Sequence, residues 1–263
     1  MKTLHLYSLA AIVLLCISAH ATAQGELPWS YKVLEKQKLA KPYGFYRKTR
    51  FSRADHILVA HSVVIRNRTR YRARIIDLDE KLEKYPSIID IAVKHHAQVA
   101  INGGYFLPNF RPAGLLLYEG KKRSPLSRQV SLSGILSIDA KGKITILPRK
   151  ASLANSYYAI QAGPFIIDPG GEMGIKSAGA LHRRTVVGLT KGKNIFMVNT
   201  SPVSLLDLAD LLKHHPRAFG LQGVDRALNL DGGPSSAIYV KLKNKEVTIK
   251  EKLAVRNFIV IAP

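Results

Sequence analysis

Residues 226–240 read RALNLDGGPSSAIYV, a strand-like alternation that runs into a carboxylate, two glycines, a proline and two serines before strand-like residues resume. Asn229 and Asp231 alternate with Leu228 and Leu230. A strand here turns both polar side chains to one face. Gly232 and Gly233 permit positive φ and let a ligand approach the backbone closely. An Asp-Gly-Gly turn is also an ordinary strand connection. Such a connection needs neither Asn229 before it nor Ser235 and Ser236 after it. The face that Asn229 and Asp231 share is polar at the strand end, where an active site could sit. The serines do not sit in a G-x-S-x-G elbow and are not read as nucleophiles.

Three further stretches could share that site. Residues 99–106, VAINGGYF, repeat the design of a strand, a polar amide, two glycines and an aromatic ring. The Asn102 amide can donate and accept, holding a sugar hydroxyl or orienting a carboxylate, with Gly103, Gly104 and Tyr105 beside it. His182, Arg183 and Arg184 stand just before the strand-like TVVGL. Arginine matches phosphate with a two-pronged fork. Gln161 and Gly163 interrupt an apolar strand in QAGPFII.

The elements that must place these residues are mostly strands. Apolar and basic residues alternate over 71–75, the mark of a half-solvated strand, with a tight turn expected near Asn67. Ser87, with Asp90 three residues on, caps a helix over SIIDIAVKHHA. Ser204 caps a second, with Leu205, Leu208, Ala209 and Leu212 as its apolar stripe and Pro216 as its stop. Strands with two marked helices, and no regular βαβ alternation, predict an α+β fold. The expectation is a single domain with a mixed or antiparallel sheet and a few flanking helices.

The chain of 263 residues opens with Lys2, an apolar run and Ala21-Thr22-Ala23. That is the pattern of a secretory signal peptide over 1–23, cleaved near Ala23, which places the protein in the periplasm or outside the cell. The apolar run is short for a membrane span. Residues 24–50 read as a basic, poorly periodic leader over the surface of a domain covering 51–263. Cys16 is the only cysteine and leaves with the signal. This excludes a disulfide framework, a cysteine nucleophile and a cysteine-ligated metal. The pairs His95-His96 and His214-His215 fall at helix C-terminal ends, where the dipole favours a cation. No third ligand is assigned to either, so no metal and no cofactor is expected.

The formal charge of +22 favours anionic partners. The basic runs lack the interleaved aromatics of a single-strand groove and match no nucleic-acid-binding signature, so no specific nucleic acid is expected.

INGGYF, QAGP, RRTVVGL, LNLDGGPSS and RNFIVI, in that order, resemble the phosphodiester glycosidase domain family, which has many exported bacterial members. The resemblance implies hydrolysis of a sugar-1-phosphodiester, often of an N-acetylhexosamine, to free sugar and phosphomonoester. It implies Asp231, Arg183 and Asn102 as catalytic residues. Gly103, Gly104, Tyr105, Gln161, Gly163, His182, Arg184, Asn229, Gly232, Gly233, Ser235 and Ser236 would bind substrate. Asp231 would serve an oxocarbenium-like centre, and Arg183 the charge growing on the departing phosphate. A non-catalytic binder of anionic envelope glycans would use the same cleft. A nuclease-like phosphodiesterase lacks a supporting acid cluster.

Overall fold

The structure, a computed structural model, describes residues 28–41, 43–66, 71–78 and 85–263. The expected signal peptide and the turn near Asn67 lie outside the described residues. Four strands, β1 (Ser30–Lys38), β2 (Gly44–Arg53), β3 (His56–Ile65) and β4 (Arg72–Asp77), precede helix α1 (Ile88–Lys94). Then come β5 (Val99–Asn102), β6 (Leu116–Tyr118), β7 (Lys121–Ser124), β8 (Gly134–Ile138), β9 (Ile144–Pro148), β10 (Tyr158–Ala162) and β11 (Phe165–Ile167). β12 (Thr185–Thr190) and β13 (Ile195–Thr200) lead to α2 (Leu205–His214). β14 (Val224–Asn229), β15 (Ile238–Lys241), β16 (Glu246–Ile249) and β17 (Asn257–Ala262) follow.

The strands form three sheets, in the orders β1-β2-β3-β13-β12-β14-β11, β7-β6-β10-β8-β9 and β16-β15-β5-β17-β4. Every pairing is antiparallel. The α+β expectation holds, with its sheets antiparallel rather than mixed. All three sheets contribute to one central core, among them Val63, Leu136 and Ile259. The other face of the seven-stranded sheet packs on α2 through Val198, Leu208 and Leu212. α1 covers the third sheet through Ile88, Ile91 and Phe258.

Both helices start where their caps predict. Ser87 and Asp90 form a reciprocal capping box, and the Ser204 hydroxyl receives the Asp207 amide. The stretch read as a surface leader is different. Residues 30–38 and 44–53 are strands paired into the seven-stranded sheet. β1 is the outermost strand, most of its residues are exposed on both faces, and its register shifts between Val33 and Glu35. Such a strand carries no alternation for a sequence reading to detect. No helix among the described residues is long and apolar enough to cross a membrane.

The site is positioned by three strand ends. β5 runs between β15 and β17, and β14 runs between β12 and β11. Asn102 ends β5, Asn229 ends β14 and Thr185 begins β12.

Candidate active site

The two Gly-Gly junctions are stitched together. The Asp231 amide donates to the Gly103 carbonyl at 3.2 Å, and Asn102 Nδ2 donates to the Asp231 carbonyl at 2.8 Å. Asn102 Oδ1 accepts from Thr185 Oγ1 at 2.7 Å and from the Ala237 amide at 2.9 Å. The side chain is fully buried and its bonding capacity is consumed by three other segments. Asn102, expected at the chemistry, therefore stands in the structure as a positioning residue. It fixes the backbone that carries Asp231.

The neighbouring glycines follow the same logic. Gly103 N donates to the Asn257 carbonyl and Gly104 N to Asn257 Oδ1, so neither amide faces a ligand. A Cβ on Gly103 would lie 1.9 Å from Asn257 Oδ1, and one on Gly104 2.3 Å from Ile160 Cγ2. Close packing, not ligand approach, requires glycine at both. Asn257 opens β17 with no turn chemistry around it, so nothing local in RNFIVI marks its side chain as an anchor. Thr185 and Asn199 were missed too, and Asn199 Nδ2 donates to Thr185 Oγ1 at 3.2 Å behind Asn102.

Asp231 is only partly exposed, and burial raises its proton affinity above that of an ordinary aspartate. The Ser235 hydroxyl and the Gly232 amide, which donates to Oδ1 at 2.8 Å, oppose the shift. Gly233 adopts φ +59°, which favours glycine there. Tyr105 lies between two charges. Burial first, then Asp231, pushes its phenol upward, while Arg184 pulls it down. The phenol donates to the Gly163 carbonyl at 2.8 Å and accepts from Asn229 Nδ2 at 2.6 Å. Asn229 Oδ1 and Ser236 Oγ are buried without a hydrogen-bond partner among the described residues. Buried polar atoms are otherwise almost always satisfied. Both belong to the segments that flank Asp231, Asn229 at the end of β14 and Ser236 after the 232–235 turn.

The basic residues divide. The Arg183 carbonyl receives the Gly233 amide at 2.8 Å, so its backbone abuts the acidic turn. Its guanidinium, however, bonds the Ser236 carbonyl and, at 3.1 Å, the Lys250 carbonyl. It thus ties the end of the turn to the 250 backbone, and no hydrogen bond or ion pair joins it to the Asp231 carboxylate. Arg184 is buried and pins the Val203 and Ala180 carbonyls at 3.1 and 2.6 Å. His182 is exposed and pairs through its backbone with Val203. Gln161 is buried, and its amide is used by the Leu115, Ser127 and Leu132 backbones. It shapes the loop before β8 and has no bond left for a sugar. Gly163 contributes its carbonyl to Tyr105 and Asn229.

The groups around the turn are one partly exposed carboxylate, the Tyr105 phenol between Gly163 and Asn229, two buried polar atoms without a partner among the described residues, and the partly exposed Arg183 guanidinium. That set can bind a polyhydroxylated group and act on it by acid–base or electrostatic means.

The same fold occurs in a hypothetical protein from Synechocystis, at 16% identity and TM-score 0.61, with 83% of this chain and 62% of that one covered. This chain thus spans less than two thirds of the Synechocystis protein. It occurs also in the catalytic domain of zebrafish N-acetylglucosamine-1-phosphodiester α-N-acetylglucosaminidase, auto-inhibited by its pro-peptide. Identity there is 16%, TM-score 0.61 and coverage 92% and 85%. No curated protein matches at the sequence level. The sequence pattern of the phosphodiester glycosidase family matches residues 95–262, which include both Gly-Gly junctions, the paired arginines and the last strand, and the chain belongs to that family.

Proposed function

We propose that the protein is an exported hydrolase that cleaves the glycosidic bond of a sugar-1-phosphodiester, releasing free sugar and a phosphomonoester. The observation that carries this reading is Asp231, a carboxylate of raised proton affinity at the point where β5 and β14 end and β12 begins. The bond to the anomeric carbon breaks through an oxocarbenium-like state. A carboxylate beside that carbon stabilises the charge, or takes the proton of the attacking water. Desolvation strengthens it in both tasks. The phosphate departs readily without protonation. Charge growing on its oxygens calls for a cation, and Arg183, bound to the carbonyl that closes the same turn, would supply one. Asn229 Oδ1, the Tyr105 phenol and Ser236 Oγ would hold sugar hydroxyls or the acetamide. The sugar is taken to be an N-acetylhexosamine, as the zebrafish enzyme's name indicates for that protein. The signal-like residues 1–23 support export. The basic surface supports an anionic envelope glycan as the source of substrate.

The test is incubation with UDP-GlcNAc or another GlcNAc-1-phosphodiester, with detection of free sugar. Wild type should release GlcNAc, and Asp231→Asn should lose about 10³-fold or more in kcat. Near-wild-type turnover by that variant would remove Asp231 from the mechanism. Binding without turnover by the wild type would instead identify a non-catalytic glycan binder.

A further inference from the structure

The core-facing side of the seven-stranded sheet changes character along its strands. Toward one end Tyr46, Val63 and Met197 lie in the central core. Toward the other, directly opposed residues share the same face: Lys48 with His61, Lys32 with Arg50, and Arg50 with Val59. Val59 and His61 line a cavity of about 330 Å³, together with Arg183, Pro202, Ile249 and Lys252. This cavity backs onto the Asp231 turn. The Lys252 amide donates to the Pro234 carbonyl at 2.7 Å, and Arg183 bonds the Ser236 carbonyl.

The charged residues along the row from the cavity through Arg50 to Lys32 are cations; Glu35 faces Lys48 in the next row inward, and Glu251 acts on Arg183 from beside the cavity. Arg183 and Lys252 line it, and Arg50 and Lys32 continue past Val59 across β2 and β1. Lys32 and Arg50 are exposed and have no acidic partner among the described residues. Like charges set directly opposite on neighbouring strands destabilise a hairpin. An isolated leaving phosphate needs one cation, and four are arrayed here. Lys32 on β1 and Arg183 just before β12 are separated by four strand spacings, on the order of 20 Å. That is too far for a single phosphate to bridge.

We propose that the cavity and the Lys32–Arg50 row are accessory subsites for further phosphate groups of a polymeric phosphodiester glycan whose scissile unit sits at Asp231. The inference rests on the phosphodiester glycosidase reading and adds that the substrate is a chain, not a single sugar-phosphodiester. The apolar walls, Val59, Pro202 and Ile249, accept the carbon skeleton between successive phosphates, and the cations take the phosphates.

The test reads binding on Asp231→Asn protein, which retains ligand without turnover. Fluorescence anisotropy compares a phosphodiester-linked oligomer ending in GlcNAc-1-phosphate with a GlcNAc-1-phosphodiester carrying one phosphate. Adding Lys32→Glu and Arg50→Glu together should weaken the oligomer about 10-fold or more and the one-phosphate ligand less than about 2-fold. The melting temperature should stay unchanged, since both side chains are exposed. Equal weakening of both ligands, or of neither, overturns the accessory row. Single-stranded DNA of equal charge that binds as tightly as the oligomer, and weakens equally, would make this a general polyanion surface and overturn the glycan assignment. Because these measurements need no hydrolysis, a wild type that fails to release sugar counts against the proposed activity alone.

Discussion

Asp231 holds its proton more tightly in the fold than in the unfolded chain, and the cause is burial. In the unfolded chain an aspartate titrates near pH 3.9. The native state therefore gains stability below that value, loses it as pH rises through the raised native pKa, and carries a constant penalty beyond. Asp231→Asn removes the penalty. The variant should melt at a higher temperature than wild type at pH 7, with the gap closing below about pH 4. A lower melting temperature at pH 7 would make the carboxylate a structural group. The face shared by Asn229 and Asp231 was legible, because a period of two is a local property. The fate of an amide is not local: Gln161 spends its bonds on residues 29 to 46 positions away, as the separations of its partners show. Asn102 and the Gly103 and Gly104 amides changed from ligand contacts to positioning groups for the same reason. Gly103→Ala should cost about 2–4 kcal/mol in a denaturant titration, because the added carbon meets Asn257 Oδ1 and the Gly104 anchor. An unchanged midpoint would mean that this junction relaxes freely.

The helices were readable from their caps, since Ser87, Asp90 and Ser204 declare a start within three residues. Strands were readable as strands but not by partner. β10 and β11 flank one Gly-Pro break yet belong to two sheets, and β1 shows no alternation at all. β3 holds the clearest case of an element changing what a residue does. His61, an unremarkable letter in HILVAHSVVI, is buried, and its Nδ1 lies 2.8 Å from the Tyr46 hydroxyl. Burial, with Lys48 adding, pushes it down to about 4. Its neutral form is the folded one. This contribution is whole above about pH 6.5, the unfolded value, and is lost as pH falls toward 4, about 3 kcal/mol in all. His61→Gln should flatten the fall in melting temperature between pH 7 and pH 4 relative to wild type. Parallel curves for the two proteins would show that His61 does not drive the acid loss.

A chain with 40 Lys and Arg against 18 Asp and Glu surrounds itself with a positive field, whatever any one side chain contacts. The sequence made the sign and size of that field plain and left its direction open, because the basic runs are scattered along the chain. Folding places Arg183 and Lys252 beside the turn that carries Asp231, with Arg50 and Lys32 farther out on the same face of the seven-stranded sheet. A field gathered at the site raises the encounter rate with an anion by roughly 10- to 1,000-fold at low salt. Salt cuts its reach, from about 30 Å at 0.01 M to about 8 Å at 0.15 M. The value of kcat/KM for a multiply charged phosphodiester should therefore fall about 10-fold or more over that range, and kcat much less, because the chemical step occurs inside the screened-off site. A one-phosphate substrate should show a shallower slope. Equal slopes for the two substrates would mean that only the charge nearest the bond is felt, and a flat response for both would mean that the basic surface plays no part in capture.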